Sequence, residues 1–430
     1  MADTTDATDT TSTTEAAQAR ATAVAADLAD ERLIQSQGVL GYLRLQVNRL
    51  RSGDLGNLPV VIGLVVISVG FYIENARFLS SRNLVSITQY AAPIGIIALG
   101  IVLVLLLAEI DLSVGSVSGM AAAVMAVLMV NEGQSTIVAL IAGALVGVAV
   151  GVLYGLLYTW LGVPSFVFSL AGLLAFQGVL LFVLGDTGTI NLPGGSYLLE
   201  FTRFSFVTGW QSYAIVALVV LVYLGAQWRT AMTRKAADLA PPWWPLVLTK
   251  AVLLAAGLGF VTYYVNIDRG FSYLWWLFFA LVVVVDFALR RTLWGRHVFA
   301  VGGNVEAARR SGIKVNRIYV TVFVSCSLLA AVGGLLGAGL QTSVSQATGT
   351  TDTNLTAIAA ADIGGTSLFG GRGSAWSALL GILVLQAITS GLNLAGVESE
   401  VRFMVTGAVL LIAVAIDSVS RRARSSSGRG

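Results

Sequence analysis

The sequence has few charged side chains. Only 11% of its 430 residues are Asp, Glu, Lys or Arg, whereas a soluble domain has about 25%. Hydrophobic residues make up 56% of the chain, and the mean hydropathy is +0.82. A globular fold leaves much of its surface exposed, so a soluble core could not bury this many apolar side chains. The composition excludes an ordinary soluble domain and indicates a polytopic membrane protein.

Cysteine, histidine and lysine are also scarce. One cysteine, Cys326, excludes a disulfide scaffold and a thiolate zinc site, and one histidine, His297, disfavours a histidine-based metal site. No lysine follows a glycine, so the chain lacks the Gly-rich phosphate-binding loop that ends in Gly-Lys. A net charge of +3 is too small to favour nucleic-acid binding. We therefore expect no enzymatic activity, no cofactor, no metal and no nucleic-acid partner.

Apolar runs follow one another from residue 58 onward. The hydrocarbon core of a bilayer is about 30 Å thick and is crossed by about 20 helical residues. Open sheet edges are excluded in lipid, so each run is predicted to be a helix. The predicted fold class is an all-α, polytopic integral membrane protein with about 10–12 transmembrane helices, some of them short or broken. The predicted spans are 58–75, 88–108, 112–130, 136–160, 166–184, 212–228, 247–265, 273–289, 318–340, 374–394 and 401–417.

The two ends of the chain differ from its apolar middle. Residues 1–31 contain seven acidic residues and one arginine, and we expect them to be disordered. In residues 32–51, arginine is interspersed with leucine and other apolar residues. This pattern predicts either a basic amphipathic segment or a solvated segment that precedes the first span. We therefore divide the chain into an N-terminal extension (1–57), a transmembrane domain (58–420) and a C-terminal tail (421–430).

The distribution of arginine and lysine predicts the orientation. These residues are concentrated in the loops 229–246 and 290–317 and in the tail, so both termini and both loops are expected to be cytoplasmic. This topology needs one further crossing, and the short Gly- and Ala-rich segment 354–369 supplies it. A similar break lies at 108–119. Broken helices of this kind are tolerated where they are buried in protein or line a cavity, and they mark transport sites.

Acidic residues at membrane depth are candidate functional groups. Asp286 precedes Arg290 by four residues, so an ion pair is expected there. Glu109 and Asp111 lie in the first break. Asp111 is placed to accept backbone N–H bonds at the start of the helix 112–130, as an N-cap does, and we favour this structural role over direct contact with a substrate.

Glycine forms two patterns. Gly143, Gly147, Gly151 and Gly155 recur every four residues, so they share one helix face and allow another backbone to approach closely. We interpret this row as a helix-packing surface. The segment IGGTSLFGGRGS at 363–374 has five glycines in twelve residues, which indicates a tight re-entrant turn with exposed backbone groups.

The loop AVGGNVEAARRSGI at 300–313 has the pattern of a short capped helix. Asn304 is a good N-cap, Glu306 lies in the first turn, Arg309 and Arg310 in the last, and Gly312 at the end. It is interpreted either as a solvated surface helix or as a rigid docking element for a cytoplasmic partner. The complete capping favours docking.

Three of these stretches together resemble a known family. AEIDLSVGS at 108–116, the loop 300–313 and the segment 363–374 are similar to motifs of the permease subunits of bacterial ABC importers for monosaccharides, and PSFVFSLAG at 164–172 is similar as well. The similarity spans about residues 58–420 and is greatest with the xylose permease branch. It implies a multi-pass protein of the bacterial plasma membrane. It also implies a homodimer or pseudo-dimer of permeases, two copies of a separate cytoplasmic ATPase and an extracytoplasmic sugar-binding protein.

The resemblance and the predicted topology together give three groups of expected site residues. The ATPase-docking helix is expected to use Glu306, Ala307, Ala308, Arg309, Arg310 and Gly312. A second cytoplasmic contact is expected at Gly370, Gly371, Arg372 and Gly373. The translocation region is expected to include Glu109, Asp111, Ser113, Gly115, Gly364, Gly365, Thr366 and Ser367.

Two alternatives remain open at this point. An ion-coupled secondary transporter would need a carboxylate near the midplane, and Glu109, Asp111 and Asp362 are the available candidates. Within the ABC permeases, branched-chain amino acids and nucleosides are neighbouring substrate classes. The sequence does not identify the sugar.

Overall fold

The computed structural model describes residues 58–236, 242, 244–398, 400–402, 404–405, 407–409 and 411. The predicted extension 1–57 and tail 421–430 lie outside the described residues, as does much of the predicted span 401–417. The chain divides into two compact units. Among the described residues, one unit contains 210–263 and the other contains 58–209 together with the residues from 264 onward.

The helices and short strands follow one another along the chain. In order, they are α1 Leu58–Glu74, α2 Ser81–Leu106, α3 Val114–Val130, α4 Thr136–Leu161, α5 Ser165–Leu184, β1 Thr189–Asn191, β2 Phe206–Val207, α6 Trp210–Ala236, α7 Trp244–Asn266, β3 Phe271–Ser272, α8 Tyr273–Arg291, α9 Leu293–Gly303, α10 Val305–Arg310, α11 Val315–Gln341, β4 Ser343–Ser345, α12 Thr351–Ile363 and α13 Ala375–Leu394.

The all-α membrane fold is confirmed. Eight helices in the described part of the chain are long and apolar enough to cross a membrane, namely α2, α4, α5, α6, α7, α8, α11 and α13. The apolar helices α1 and α3 are shorter, with 17 residues each. Several helices extend beyond the predicted spans; α2, for example, begins at Ser81, where the Ser80 hydroxyl accepts a bond from the Asn83 N–H. Hydropathy marks the part of a helix inside hydrocarbon, whereas the helix itself continues into the polar interface.

The larger unit is built around α2, α3 and α11. Helix α2 is buried along most of its length, and α3 is buried from Val114 to Ala123. Small residues bring the backbones of these helices together: a Cβ atom at Gly100 of α2 would lie 2.9 Å from the Cys326 carbonyl oxygen of α11. A Cβ atom at Gly334 of α11 would overlap the backbone of Ser118 in α3. Close approach of this kind replaces the hydrophobic effect as the reason for helix association in lipid.

Two short antiparallel ribbons join the connections between helices. Strand β1 pairs with β4, with Ile190 opposite Val344, and β2 pairs with β3, with Val207 opposite Phe271. Since β1 follows α5 and β4 follows α11, the C-terminal ends of α5 and α11 lie at the same side of the unit.

Both predicted breaks contain an interruption of helix, but the first is shorter than predicted, because residues 114–119 belong to α3. Residues 107–113 separate α2 from α3, and Ala108 has a positive φ of 61°. The second break consists of α12, which has only 13 residues, followed by the non-helical segment 364–374. The predicted ion pair is also confirmed, since Arg290 Nε lies 2.7 Å from Asp286 Oδ1.

Candidate functional site

The three motifs that suggested a common family meet in space. The Gly371 N–H donates a 2.9 Å hydrogen bond to the Leu106 carbonyl oxygen at the end of α2. A Cβ atom at Gly302 would overlap that same carbonyl. A Cβ atom at Gly370 would lie 2.8 Å from the Ala108 side chain and 2.9 Å from the Gly302 oxygen. These glycines are therefore required for backbone-to-backbone contact between segments far apart in sequence.

The capped helix α10 begins directly after this junction. Asn304 is its N-cap, and its Oδ1 atom accepts a 2.9 Å bond from the Ala307 N–H, as predicted. At the other end, Gly312 has φ of +81°, and the Ile313 N–H donates to the Ala308 carbonyl oxygen. A left-handed glycine is the usual end of a helix. Six residues capped at both ends give a rigid surface element.

The side chains of α10 divide between two faces. Ala308 is 4% exposed and packs into the apolar core, so the expectation that it would contact a partner is wrong. On a helix this short, only one side can face outward. The outward side has Glu306, Ala307, Arg309 and Arg310. Glu306 pairs with Arg309 at 2.8 Å. Both partners are exposed, so the pair adds little stability.

The glycine-rich turn after α12 lies beside the start of α10. Gly370, Gly371 and Gly373 have φ values of 81°, 70° and 153°, and the Ser367 N–H donates to the Arg372 carbonyl oxygen at 3.0 Å. A Cβ atom at Gly371 would lie 3.3 Å from the Gly303 Cα atom. Arg372 is exposed. The turn and α10 therefore form one continuous surface, which we call the docking surface: residues 304–312 and 370–373.

The carboxylate of Asp111 is buried in the first break. Its Oδ1 atom accepts bonds from the Ser113 N–H at 2.8 Å and from the Ser113 hydroxyl at 2.7 Å. The Tyr154 hydroxyl of α4 donates to the Ser113 Oγ atom at 2.7 Å. Helix α3 begins at Val114 with Ser113 as its N-cap residue. Asp111 is therefore not the N-cap that was predicted; its carboxylate stabilises the turn that precedes the helix. All three polar side chains are at most 1% exposed.

Glu109 lies on the other side of the same break. It is partly exposed, and the Tyr158 hydroxyl of α4 donates a 2.6 Å bond to its Oε1 atom. The ring of Tyr158 packs on that of Tyr319 in α11, with centroids 4.3 Å apart. The first break is thus hydrogen-bonded to α4 at two positions one helical turn apart, Tyr154 and Tyr158.

The remaining expected translocation residues lie in two separate places. The Gly115 N–H, deep in the bundle, donates to the Asn354 Oδ1 atom of α12. Gly364, Gly365, Thr366 and Ser367 belong instead to the segment that follows α12. Thr366 is 1% exposed, and the Ser367 hydroxyl accepts a 3.2 Å bond from the Phe369 N–H.

The glycine row faces α11. Added Cβ atoms would lie 2.6 Å from Leu335 at Gly143, 2.5 Å from the Ser327 oxygen at Gly147, 2.8 Å from the Phe323 oxygen at Gly151 and 2.9 Å from the Val320 Cα atom at Gly155. The row therefore runs along four turns of the central helix.

Sequence reasoning missed the tyrosines and Asn354. The signal that could have identified Tyr154 and Tyr158 is their position inside an apolar helix, where a buried tyrosine hydroxyl usually has a hydrogen-bond partner. Among the described residues, no group of three or more His, Cys, Asp or Glu side chains could hold a metal ion.

Comparison with known proteins adds three findings. A family model described as the permease component of branched-chain amino acid transport systems matches residues 83–414. Xylose transport system permease protein XylH of Escherichia coli K12 is 33% identical over 379 residues, which is 87% of this chain and 94% of that protein. The protein of the same name from Haemophilus influenzae is 30% identical over 386 residues, or 87% of this chain and 99% of that protein.

A ribose permease is similar as well. Ribose import permease protein RbsC of Bacillus subtilis is 31% identical over 366 residues, which is 85% of this chain and 94% of that protein. No solved structure matches the chain.

Proposed function

The chain belongs to the family of branched-chain amino acid transport permeases, and we propose that it is the membrane-spanning permease subunit of an ATP-driven importer of a monosaccharide. Relatives named as xylose and ribose permeases support the choice of a monosaccharide, because each aligns over more than four fifths of both chains. The fold supports the role of a translocation subunit, since eight described helices are long and apolar enough to cross a membrane.

The docking surface is the observation on which the proposal depends. Helix α10 is capped at both ends, its outward side has two arginines, and the exposed Arg372 lies in the adjoining turn. Such a rigid, cationic element suits a groove on another protein. We propose that residues 304–312 and 370–373 contact a cytoplasmic ATPase subunit, which hydrolyses ATP in place of this chain.

The wider assembly follows from the same role. We propose that two copies form a homodimer in the bacterial plasma membrane, that an extracytoplasmic binding protein delivers the sugar, and that both termini are cytoplasmic. The distribution of arginine supports this orientation, because the loop containing α10 is the most basic of the chain. The xylose and ribose permeases among the relatives support a pentose such as xylose.

Transport by the reconstituted assembly tests this function. The permease, its ATPase and its binding protein are placed in vesicles and supplied with labelled xylose, ribose, galactose or leucine. We expect uptake of a pentose that requires ATP and persists when ionophores remove ion gradients. Uptake that depends on an ion gradient and not on ATP would indicate a secondary transporter. ATP-dependent uptake of leucine alone would reassign the substrate class.

A further inference from the structure

Helix α12 begins at membrane depth instead of at the end of the bundle. After β4, the chain turns back so that a Cβ atom at Gly119 of α3 would overlap the Thr348 carbonyl oxygen. Gly119 precedes Val130, the end of α3, by 11 residues, or about 16 Å at 1.5 Å per residue. Asn354 bonds to Gly115, which lies about 22 Å from the same end. The hydrocarbon core is about 30 Å thick, so α12 starts well within it.

One side of this half-length helix is at least partly exposed and has two polar residues, Asp352 and Thr356, beside the apolar Leu355. Asp352, Leu355 and Thr356 are spaced at i, i+3 and i+4, which places them on one side. Asp352 is exposed, and Leu355 is 50% exposed. A carboxylate directed into hydrocarbon is costly, and in membrane proteins such groups almost always face a water-filled cavity or the bundle interior. Among the described residues, Asp352 has no ion-pair partner. Its exposure therefore indicates that this face of α12 meets water.

A second observation lies directly behind that face. Asn354 is 2% exposed, and its Oδ1 atom accepts a hydrogen bond from the Gly115 N–H. Its Nδ2 atom is buried and has no hydrogen-bond partner among the described residues. Buried amide donors are normally satisfied by protein or by ordered water. The non-helical backbone of 346–350 also lies at this depth, which is tolerated only where it is buried in protein or lines a water-filled cavity.

We propose that the start of α12, from Asp352 to Thr356, lines the aqueous route for an uncharged, hydroxyl-rich solute. Asp352 accepts hydrogen bonds from solute hydroxyls, and Thr356 donates to and accepts from them one turn further along the route. Asn354, on the buried side of the helix, donates its Nδ2 N–H to an ordered water. The choice of a sugar as the solute rests on the proposed function. This location differs from the first break, where the buried Asp111 and Ser113 side chains are hydrogen-bonded to each other.

Cysteine accessibility tests the route. The native Cys326 is buried, so the parent protein should not react with a charged thiol reagent. Asp352→Cys, Leu355→Cys and Thr356→Cys are compared with Leu174→Cys of α5, a 70% exposed apolar position. In the assembled transporter, we expect the α12 variants to react with a charged methanethiosulfonate and Leu174→Cys to react only with a lipid-soluble maleimide. Saturating substrate sugar should slow the reaction at Asp352→Cys several-fold.

Asp352→Asn provides the functional arm of the same test. Losing a charge-assisted hydrogen bond should lower transport about tenfold or more, while the amount of co-purified ATPase stays unchanged and Asp352→Glu restores part of the rate. If all three α12 cysteines resist the charged reagent as Leu174→Cys does, the face is dry and the proposal is wrong. If they react but the assembly transports no monosaccharide, the route stands and the sugar assignment fails.

Discussion

Leucine in place of Gly151 should destabilise the packing of α4 on α11. A Cβ atom at this position would overlap the Val324 Cα atom and lie 2.8 Å from the Phe323 carbonyl oxygen. Both neighbours belong to the α11 backbone, which cannot turn aside as the tip of a flexible side chain can. Overpacking costs about 1–3 kcal/mol. Leucine adds further carbon atoms beyond Cβ, so we expect the upper end of that range.

Alanine at the same position separates two opposing effects. Alanine is better than glycine in a helix by about 1 kcal/mol, but its Cβ atom makes the same overlap, so Gly151→Ala should be destabilised by about 0–2 kcal/mol. Gly178 of α5 is the matched control, because no atom lies within 4 Å of its added Cβ. Gly178→Ala should therefore keep the helical gain alone.

Thermal unfolding of the purified variants in detergent ranks these effects. The expected order of midpoints is Gly178→Ala at or above the wild type, then Gly151→Ala, then Gly151→Leu. Folded yield after membrane extraction should follow the same order. A Gly151→Leu protein that unfolds at the wild-type midpoint would refute backbone contact between α4 and α11 at this position.

Two further predictions concern the first break and the docking surface. Ser113→Ala removes a hydroxyl that donates to the buried Asp111 and should cost about 1–3 kcal/mol. The control Ser325→Ala removes a partly exposed hydroxyl and should change the unfolding midpoint little. Equal midpoints for the two variants would contradict the role given to Ser113. Ala307→Trp adds bulk on the outward side of α10, and Gly312→Val opposes a φ of +81°. Both should reduce co-purification of the ATPase while membrane insertion stays normal, and full ATPase binding by both would remove α10 from the interface.

Much of the fold could be predicted from the sequence, because lipid imposes a simple rule on it. A run that spans the hydrocarbon must be helical, so apolar length alone places most helices. The two breaks were predictable for a similar reason, since Gly- and Ser-rich stretches interrupt otherwise apolar runs. Helix α10 was predictable from its caps. Helix α9, Leu293–Gly303, was missed because its arginine and histidine interrupt the apolar pattern.

The contacts of the candidate site were harder to predict, since they join residues distant in sequence. The inward turn of Ala308 depends on which core lies beneath α10, and nothing in AVGGNVEAARRSGI specifies it. The bond from Tyr154 to Ser113 spans 41 residues, and that from Tyr158 to Glu109 spans 49. An acidic residue in a break was recognisable as a candidate, but its partner belongs to another helix.

The first break connects the docking surface to the central helix pair. Leu106 accepts the bond from Gly371 in the docking surface, and the following residues are fastened to α4 through Tyr158 and Tyr154. Both tyrosines lie beside Gly151 and Gly155, where α4 touches the α11 backbone. Interfaces packed this closely leave no free space, so they resist small displacements and transmit strain. The glycine turn is therefore joined to the contact between α4 and α11 by a continuous series of contacts through the end of α2 and the first break.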